Sequence, residues 1–398
     1  MKLFADLEDR EIDRLFYKKP GSFSKRSPKE LLSYCLGATL YMPATRPNIH
    51  QDLLSKKHSG LTSMVICLED AIGDSEVEQA EESLLAELKL LHQELGKGYF
   101  QEDDLPLIFI RIRSHGQLER LFSRMGQEIS MLTGVVIPKF DPVEGAESLA
   151  EISRRNREGH VLYAMPILET KKIIQKETRV GELLDIKALL EQYRDIILNV
   201  RIGATDFSGL YGIRRNSDNT VYDIAVIRDC IADIINVFVR AGSQFTVSGP
   251  VWEYFSSKDR MLKPQLRQTP FLEKYGEAGI RMRTGLIDKH MDGLIREIMM
   301  DIANGLTGKT IIHPTHIRPV QALNAVTLEE YEDARNIAAS AEGSIGVMKS
   351  AYSNKMNEIK PHLYWAQKIL LKSEIYGVLH EEYSYIDLLE KEVFASSY

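Results

Sequence analysis

Two carboxylates and one guanidinium stand where apolar runs of the sequence end. Glu169 follows MPIL, Asp206 follows RIGAT, and Arg111 follows LIFI. Two acids supply few oxygens, which is how Mg²⁺ is usually held, with water and substrate in the remaining positions. An arginine offers a planar fork that suits a carboxylate. A 2-oxo acid that chelates the metal through its carboxylate and keto oxygens would use both features, and the metal would stabilise an enolate.

Other charged residues follow apolar runs in the same way. Glu69 and Asp70 follow VICL, Lys139 follows GVVIP, and Arg46 follows YMPAT. Polar residues are common where a chain leaves a strand, so one such end alone favours simple solvation. Acids and bases that converge on one rim favour a site. We expect one acid of the Glu69–Asp70 pair to face the water shell of the metal and the other to pair with Lys139 or Arg46. We assign these two bases to cofactor binding.

Three more polar residues follow the strands. We expect a structural role for two of them, and the role of the third stays open. His313 and His316 stand at a rigid His-Pro strand end, and we expect them to be structural. Arg113 could contact a second anion. Neighbouring strand residues point to opposite faces, however, so packing between strand and helix is also open for Arg113.

The elements that would position these side chains alternate along the chain. Eight short runs are mostly continuously apolar, as expected for a parallel sheet that is covered on both faces: 37–45, 63–71, 105–113, 133–139, 160–169, 195–206, 243–251 and 309–314. Helix-like segments lie between them, at 75–95, 144–157, 181–193, 221–241 and 291–305. The first helix opens with SEVE, which predicts a capping box with Ser75 as the N-cap. Eight strands favour a (β/α)8 TIM barrel over a doubly wound sheet, and a barrel places catalytic groups at the C-terminal strand ends.

The remaining segments define the predicted domain organisation. We expect an N-terminal extension over 1–36, the barrel over 37–325 and a helical C-terminal lid or tail over 326–398. Residues 252–290 are longer than a usual connection and rich in Lys and Arg, so we expect an insertion after the seventh strand.

Composition excludes several classes of protein. The chain has 398 residues and a net charge of −7, which gives no global attraction to nucleic acid or anionic membranes. Its three cysteines, Cys35, Cys67 and Cys230, are far apart and form no C-x-x-C pair, which is typical of reduced thiols. The charged N-terminus does not resemble a signal peptide, and no run approaches the ~18 apolar residues of a membrane span. We expect a cytoplasmic protein without membrane or nucleic-acid partners.

Seven stretches also resemble, in order, the motifs of one family. They are LYMPATRPNI, VICLEDAI, FIRIRS, GVVIPK, PILET, GATDFSGLYG and GKTIIHPTHI. The family comprises the citrate lyase β-subunits and malyl-CoA lyases, grouped with the HpcH/HpaI aldolases. The length and the extra segments are similar to a divergent branch, the C–C bond lyase-like proteins associated with tellurite-resistance operons.

The resemblance implies a TIM barrel, Mg²⁺, and cleavage of a carbon–carbon bond or the reverse condensation. It implies that Glu169 and Asp206 bind the metal and that Arg111 holds the substrate carboxylate. Glu69 and Asp70 would lie near the metal waters.

The resemblance also implies an assembly. Family members often form trimers or hexamers, in which a C-terminal lid carries a catalytic acid to a neighbour's site. The corresponding stretch here is NKMNE, so Glu358 falls on that acid. We therefore expect a homo-oligomer.

The substrate stays open between several classes. The resemblance implies an oxo or hydroxy acid, either free or as a CoA thioester. Departures from the family motifs at Ala44, Thr45, Arg113 and His316 concern the substrate more than the metal. Two alternatives remain: a barrel that serves as a ligand-binding or assembly component, and an aldolase that acts on a phosphorylated substrate without CoA.

Overall fold

Eight parallel strands form a ring at the centre of the computed structural model, which describes residues 1–98, 100–255, 289–341 and 346–389. The strands are Ala38–Pro43, Ser63–Cys67, Leu107–Arg111, Gly134–Ile137, Tyr163–Leu168, Val200–Ile202, Val247–Ser248 and Lys309–Ile311. The first seven strands pair in chain order, each with the next, and the eighth pairs with the first. A parallel bridge between Gly249 and Lys309 closes the ring. The predicted (β/α)8 barrel is therefore confirmed.

Helices that alternate with the strands cover the outside of the ring. They include Ile49–Leu54, Val77–Gly96, His115–Arg124, Glu144–Arg157, Lys176–Gln192, Ala225–Phe238, Lys289–Ala303 and Ile317–Asn324. The predicted N-cap at Ser75 is wrong, because this residue lies within a 3-10 turn, Asp74–Glu76, that precedes the helix. There the Glu76 carboxylate accepts a hydrogen bond from the Gly73 N–H at 3.3 Å.

The sixth strand is shorter than its apolar run predicts. It ends at Ile202, and Asp206 lies in the first turn of a short helix, Ala204–Gly209. An acid in this position is favoured because the helix N-terminus carries partial positive charge. Asp206 thus stands beyond the strand end, above the rim of the barrel.

The apolar core has an outer and an inner part. The outer part lies between strands and helices and includes Met64, Ile110 and Leu84. The inner part continues from lumen residues such as Val65 and Phe109 into the N-terminal segment and the C-terminal helices. These segments close the N-terminal end of the lumen, which leaves the C-terminal rim for a site.

The two terminal segments contact each other. Helices Asp9–Leu15 and Lys29–Cys35 flank the strand Phe16–Lys18, which pairs with Val378–Leu379 near the end of the chain. The C-terminal helices are Leu328–Ala339, Ile359–Tyr376 and Tyr385–Leu389.

The C-terminal segment is helical as predicted except for one hairpin. Strands Val347–Lys349 and Met356–Glu358 pair within it and form a hairpin that the sequence analysis did not predict. Asp333 stabilises the hairpin, because it accepts hydrogen bonds from Ser350 and Asn357 at 2.8 Å. This tertiary contact cannot be inferred from local pattern.

Two expectations concern parts of the chain that the structure does not test. Most of the predicted Lys- and Arg-rich insertion lies outside the described residues, at 256–288, and the predicted domain boundaries stay predictions. No helix among the described residues is long and apolar enough to cross a membrane.

Candidate active site

Glu169 is the buried centre of the acids at the C-terminal rim. It directly follows the fifth strand and is 4% exposed. Its Oε1 accepts from the Lys139 backbone N–H at 2.8 Å and from Arg111 Nη2 at 3.3 Å. Burial raises the pKa of Glu169 to about 8, and the charges of Asp206 and Glu69 also raise it, against the opposing effect of Arg111.

Gly203 gives Glu169 the space that it occupies. A Cβ atom at position 203 would lie 2.1 Å from Glu169 Oε2 and 2.4 Å from its Cβ. Position 203 must therefore be glycine while Glu169 keeps this place. Oε2 consequently faces the segment that leads to Asp206, whereas the protein contacts described above are made by Oε1.

Arg111 connects three carboxylates through one nitrogen. Its Nη2 lies 2.8 Å from Glu69, 3.0 Å from Asp70 and 3.3 Å from Glu169. Although burial opposes the effect, the charges of Glu169 and Glu69 raise the pKa of Arg111. The Nε atom of Arg111 is buried and has no hydrogen-bond partner among the described residues. One side of the guanidinium fork is therefore still available to an acceptor.

Lys139 contacts three acids and has an unusual backbone conformation. Its φ of 45° lies in the left-handed region, which costs about 1–2 kcal/mol for a residue with a Cβ atom. This conformation accompanies the backbone hydrogen bond to Glu169, while the ammonium contacts Glu69 and lies 3.5 Å from Asp70. The predicted ion pair between Lys139 and the Glu69–Asp70 pair is confirmed.

Glu69 and Asp70 differ in their surroundings. Glu69 is buried, whereas the Asp70 side chain is 52% exposed. Burial raises the pKa of Glu69. The partial burial of Asp70 acts to raise its pKa, but hydrogen bonding to Glu69 and the charge of Arg111 outweigh this effect and lower the pKa of Asp70. Two adjacent carboxyl groups with opposite shifts suit a pair that shares or transfers a proton.

Asp206 completes a group that we call the rim cluster. The rim cluster consists of Glu69, Asp70, Arg111, Lys139, Glu169 and Asp206. Asp206 is partly buried, and its charge acts on both Glu169 and Lys139. The rim cluster thus contains four carboxylates and two basic groups, which leaves an excess of negative charge.

This donor set fits Mg²⁺. No group of three or more His, Cys, Asp or Glu side chains with metal-binding geometry occurs in the part of the chain that the structure describes. Mg²⁺ commonly uses one or two carboxylates and keeps several waters. Oε2 of Glu169 and the Asp206 carboxylate are oxygen donors of that kind, and a cation would offset the excess charge.

Other predicted residues lie elsewhere. Arg46 pairs with Asp52 at 2.6 Å and makes no hydrogen bond or ion pair with the rim cluster within the described segments. Glu358 is exposed in the C-terminal hairpin, so its catalytic role stays a prediction. His313 stacks on Phe255 with ring centroids 4.5 Å apart, an arrangement that supports packing.

Arg113 has a structural role between the second strand and its helix. Its Nε donates to the Leu68 carbonyl at 2.8 Å, and its Nη1 lies 2.7 Å from Asp74. Its Nη2 also contacts the Ile72 carbonyl. Arg113 therefore fixes the loop that carries Glu69 and Asp70.

Two residues near the rim, Gly203 and Arg201, were not among those predicted from the sequence. Gly203 was part of a motif, but its need for close approach to Glu169 depends on tertiary structure. Arg201 was an unremarked charge within the run NVRIG. A charged residue inside a strand that is otherwise apolar is the signal that could have identified it.

Comparison with known proteins agrees with this architecture. Residues 30–378 match the family described as C–C bond lyase of the TIM-barrel fold. No curated protein matches the chain. A citrate lyase structure from Burkholderia xenovorans LB400 is 15% identical and has a TM-score of 0.58, covering 85% of this chain and 91% of that one. CitE from Mycobacterium tuberculosis, in complex with magnesium, acetoacetate and coenzyme A, is 16% identical with a TM-score of 0.49, covering 85% and 97%.

Proposed function

The chain belongs to the C–C bond lyases of the TIM-barrel fold, and we propose that it is a magnesium-dependent enzyme that cleaves or forms a carbon–carbon bond in a small oxo or hydroxy acid. The observation that carries this proposal is the excess of carboxylates in the rim cluster around buried Glu169. An uncompensated group of acids is costly to the fold, so its presence at the open end of the barrel supports binding of a cation.

The residues of the rim cluster would have different roles in the reaction. Glu169 and Asp206 would hold Mg²⁺, which when bound supplies electrostatic stabilisation of an enolate. Arg111 would hold the carboxylate of the acid through the side of its fork that includes Nε. Glu69 and Asp70 would act as the general acid and base that transfer the proton, an assignment that their opposite pKa shifts support. Lys139 would keep Glu69 and Glu169 in place.

Enolisation of a 2-oxo acid tests this proposal without knowledge of the full substrate. Pyruvate or oxaloacetate is incubated with the protein in D₂O, and loss of the C3 proton signal is followed by NMR. We expect exchange that requires Mg²⁺ and stops when a chelator is added. Asp206→Asn should slow it about a hundredfold or more.

Asp195→Asn is the matched control. Asp195 is exposed and precedes the sixth strand, whereas Asp206 follows it, so the two acids stand at opposite ends of the barrel. The control variant should exchange protons at the wild-type rate. Absence of exchange with both acids at saturating Mg²⁺, in folded wild-type protein, would contradict the enzyme proposal.

The same assay separates the other substrate forms. A CoA thioester substrate predicts faster exchange or cleavage with an acyl-CoA than with the free acid. An aldolase for phosphorylated substrates predicts activity without a thioester. A ligand-binding or assembly component predicts binding without exchange. The predicted trimer or hexamer can be checked by light scattering.

A further inference from the structure

A second arginine lies in the lumen of the barrel. Arg201, on the sixth strand, is 1% exposed. Its guanidinium approaches Thr39 and Tyr41 of the first strand and Thr310 of the eighth. The sixth strand is adjacent to neither of those strands. These contacts therefore cross the lumen.

Arg201 has no acidic partner among the described residues, unlike Arg111. Its shortest hydrogen bond joins Nη2 to Thr310 Oγ1 at 2.8 Å, and Nε lies 3.3 Å from the same oxygen. Nη1 lies 3.5 Å from Thr39 Oγ1 and 3.7 Å from the Met165 sulfur, which are weak contacts. A guanidinium keeps its charge and carries five N–H donors. Arg201 is thus a buried cation whose donors are only partly used.

The position of Arg201 is within reach of a small molecule bound at the rim. Tyr41 and Thr310 are only partly buried although they face the lumen, so the lumen is open to their depth. Tyr41 precedes Pro43 by two residues, and Pro43 is level with Arg111 through the pairing of the first three strands. Two strand residues span about 7 Å. The charges of both arginines act on the Tyr41 hydroxyl, which supports a position between them.

We propose that Arg201 binds a second anionic group of the substrate, a carboxylate or a phosphoryl group, while a first carboxylate is held at the rim. The proposal rests on the proposed function and narrows its substrate class to small oxo or hydroxy acids with two anionic groups. Buried charges in proteins are paired or bind ligands, and a planar fork in an apolar lumen suits a compact anion that has lost its water.

The test compares three 2-oxo acids with the full chain at saturating Mg²⁺. Pyruvate has one anionic group, oxaloacetate adds a carboxylate, and phosphonopyruvate adds a phosphonate. Calorimetric titration gives the affinity for each acid. We expect one of the two dianions to bind more tightly than pyruvate, and its identity distinguishes a carboxylate from a phosphoryl group.

Arg201→Gln should remove this preference. We expect the affinity for the preferred dianion to fall about tenfold or more, while that for pyruvate changes less than about threefold. Thr310→Val serves as a second variant if Arg201→Gln does not fold. It keeps the side-chain shape but removes the acceptor that aligns the guanidinium, and we expect a loss of about threefold for the dianion.

Arg179→Gln is the control for removal of a buried arginine. Arg179 pairs with Asp229 and Asp233 on the helices outside the ring. This variant should lower thermal stability and leave the ratio of dianion to pyruvate affinity unchanged. The proposal is overturned if wild type shows no preference for a dianion, or if both lumen variants weaken all three acids equally or none. Proton exchange tests the function and the affinity ratio tests Arg201, so either can fail alone.

Discussion

Two groups of clustered acids and bases lie at different faces of the barrel wall, and they differ in charge balance. The rim cluster faces the open end of the lumen and has four carboxylates with two basic groups. A second group, which we call the strand-eight network, lies between the eighth strand and the helix Lys289–Ala303. It consists of Arg215, Tyr222, Glu297, Asp301 and Lys309, with two acids, two bases and one neutral hydroxyl.

The strand-eight network satisfies all four of its carboxylate oxygens. Lys309 Nζ lies 2.9 Å from Glu297 Oε1 and 2.7 Å from Asp301 Oδ2. Glu297 Oε2 contacts Arg215 and accepts from the Val221 N–H at 2.9 Å, and the Tyr222 hydroxyl donates to Asp301 Oδ1 at 2.7 Å. None of the four carboxylate oxygens of this network is left without a partner.

The rim cluster, in contrast, is incomplete. Arg111 Nε has no partner among the described residues, and the hydrogen bonds that Arg111 and the Lys139 backbone donate to Glu169 both use Oε1. Burial of charge therefore does not by itself indicate a site. We propose that an excess of acids together with an unsatisfied donor at an open end indicates a ligand-binding group, whereas a fully paired network indicates a structural one.

Removal of the central base should have the largest effect in the strand-eight network. Lys309→Met leaves Glu297 and Asp301 buried without their shared cation, and we expect the free energy of unfolding to fall by about 3–5 kcal/mol. Lys139→Met in the rim cluster should cost less than about 1 kcal/mol, because this side chain is 52% exposed. Urea denaturation measures the free energy of unfolding of both variants. Equal losses would contradict the proposed difference in structural role between the strand-eight network and the rim cluster.

Gly203→Ala should have the next largest effect on stability. The new Cβ would overlap Glu169, so we expect a loss of about 1–3 kcal/mol in stability together with loss of Mg²⁺-dependent proton exchange. Gly181 is the control, since it lies in the helix Lys176–Gln192 and a Cβ there meets nothing within 4 Å. Gly181→Ala should gain about 0.5–1 kcal/mol with normal exchange. Normal exchange in Gly203→Ala would show that proton exchange does not depend on the observed position of Glu169.

Tyr222→Phe tests how much one hydrogen bond of the strand-eight network contributes to stability. It removes the hydroxyl that donates to Asp301, and we expect a loss of about 1.5 kcal/mol in thermal or urea unfolding. Enzymatic exchange should be unaffected. A change in exchange with unchanged stability would mean that this network takes part in the chemistry.

Glu169→Gln should have the smallest effect on stability and a large one on function. It replaces a buried carboxyl group, whose pKa is raised to about 8, with a neutral amide of similar shape, so the free energy of unfolding should change by less than about 1 kcal/mol or increase. Proton exchange should fall about a hundredfold or more. Glu297→Gln gives the opposite pattern, with lower stability. A rim variant that unfolds the protein would contradict a ligand-binding role for the excess charge.

Much of the rim could be predicted from sequence because the signal is local. Glu169 and Asp206 are the first acids after apolar runs, and parallel strands bring such positions to one rim. Arg111 was placed there by the same reasoning, but its contacts with three acids could not be foreseen. The role of Gly203 and the lumen position of Arg201 depend on neighbours across the ring, which no local pattern contains. Ser75 failed as a cap because a 3-10 turn precedes the helix.

Binding of Mg²⁺ to the free protein tests the central claim most directly. Calorimetric titration should show one Mg²⁺ site per chain in wild type and in Asp195→Asn. In Asp206→Asn the affinity should fall about tenfold or more, because one of two carboxylate ligands is lost. Equal affinity in Asp206→Asn and wild type, or no binding to wild type, would contradict the account.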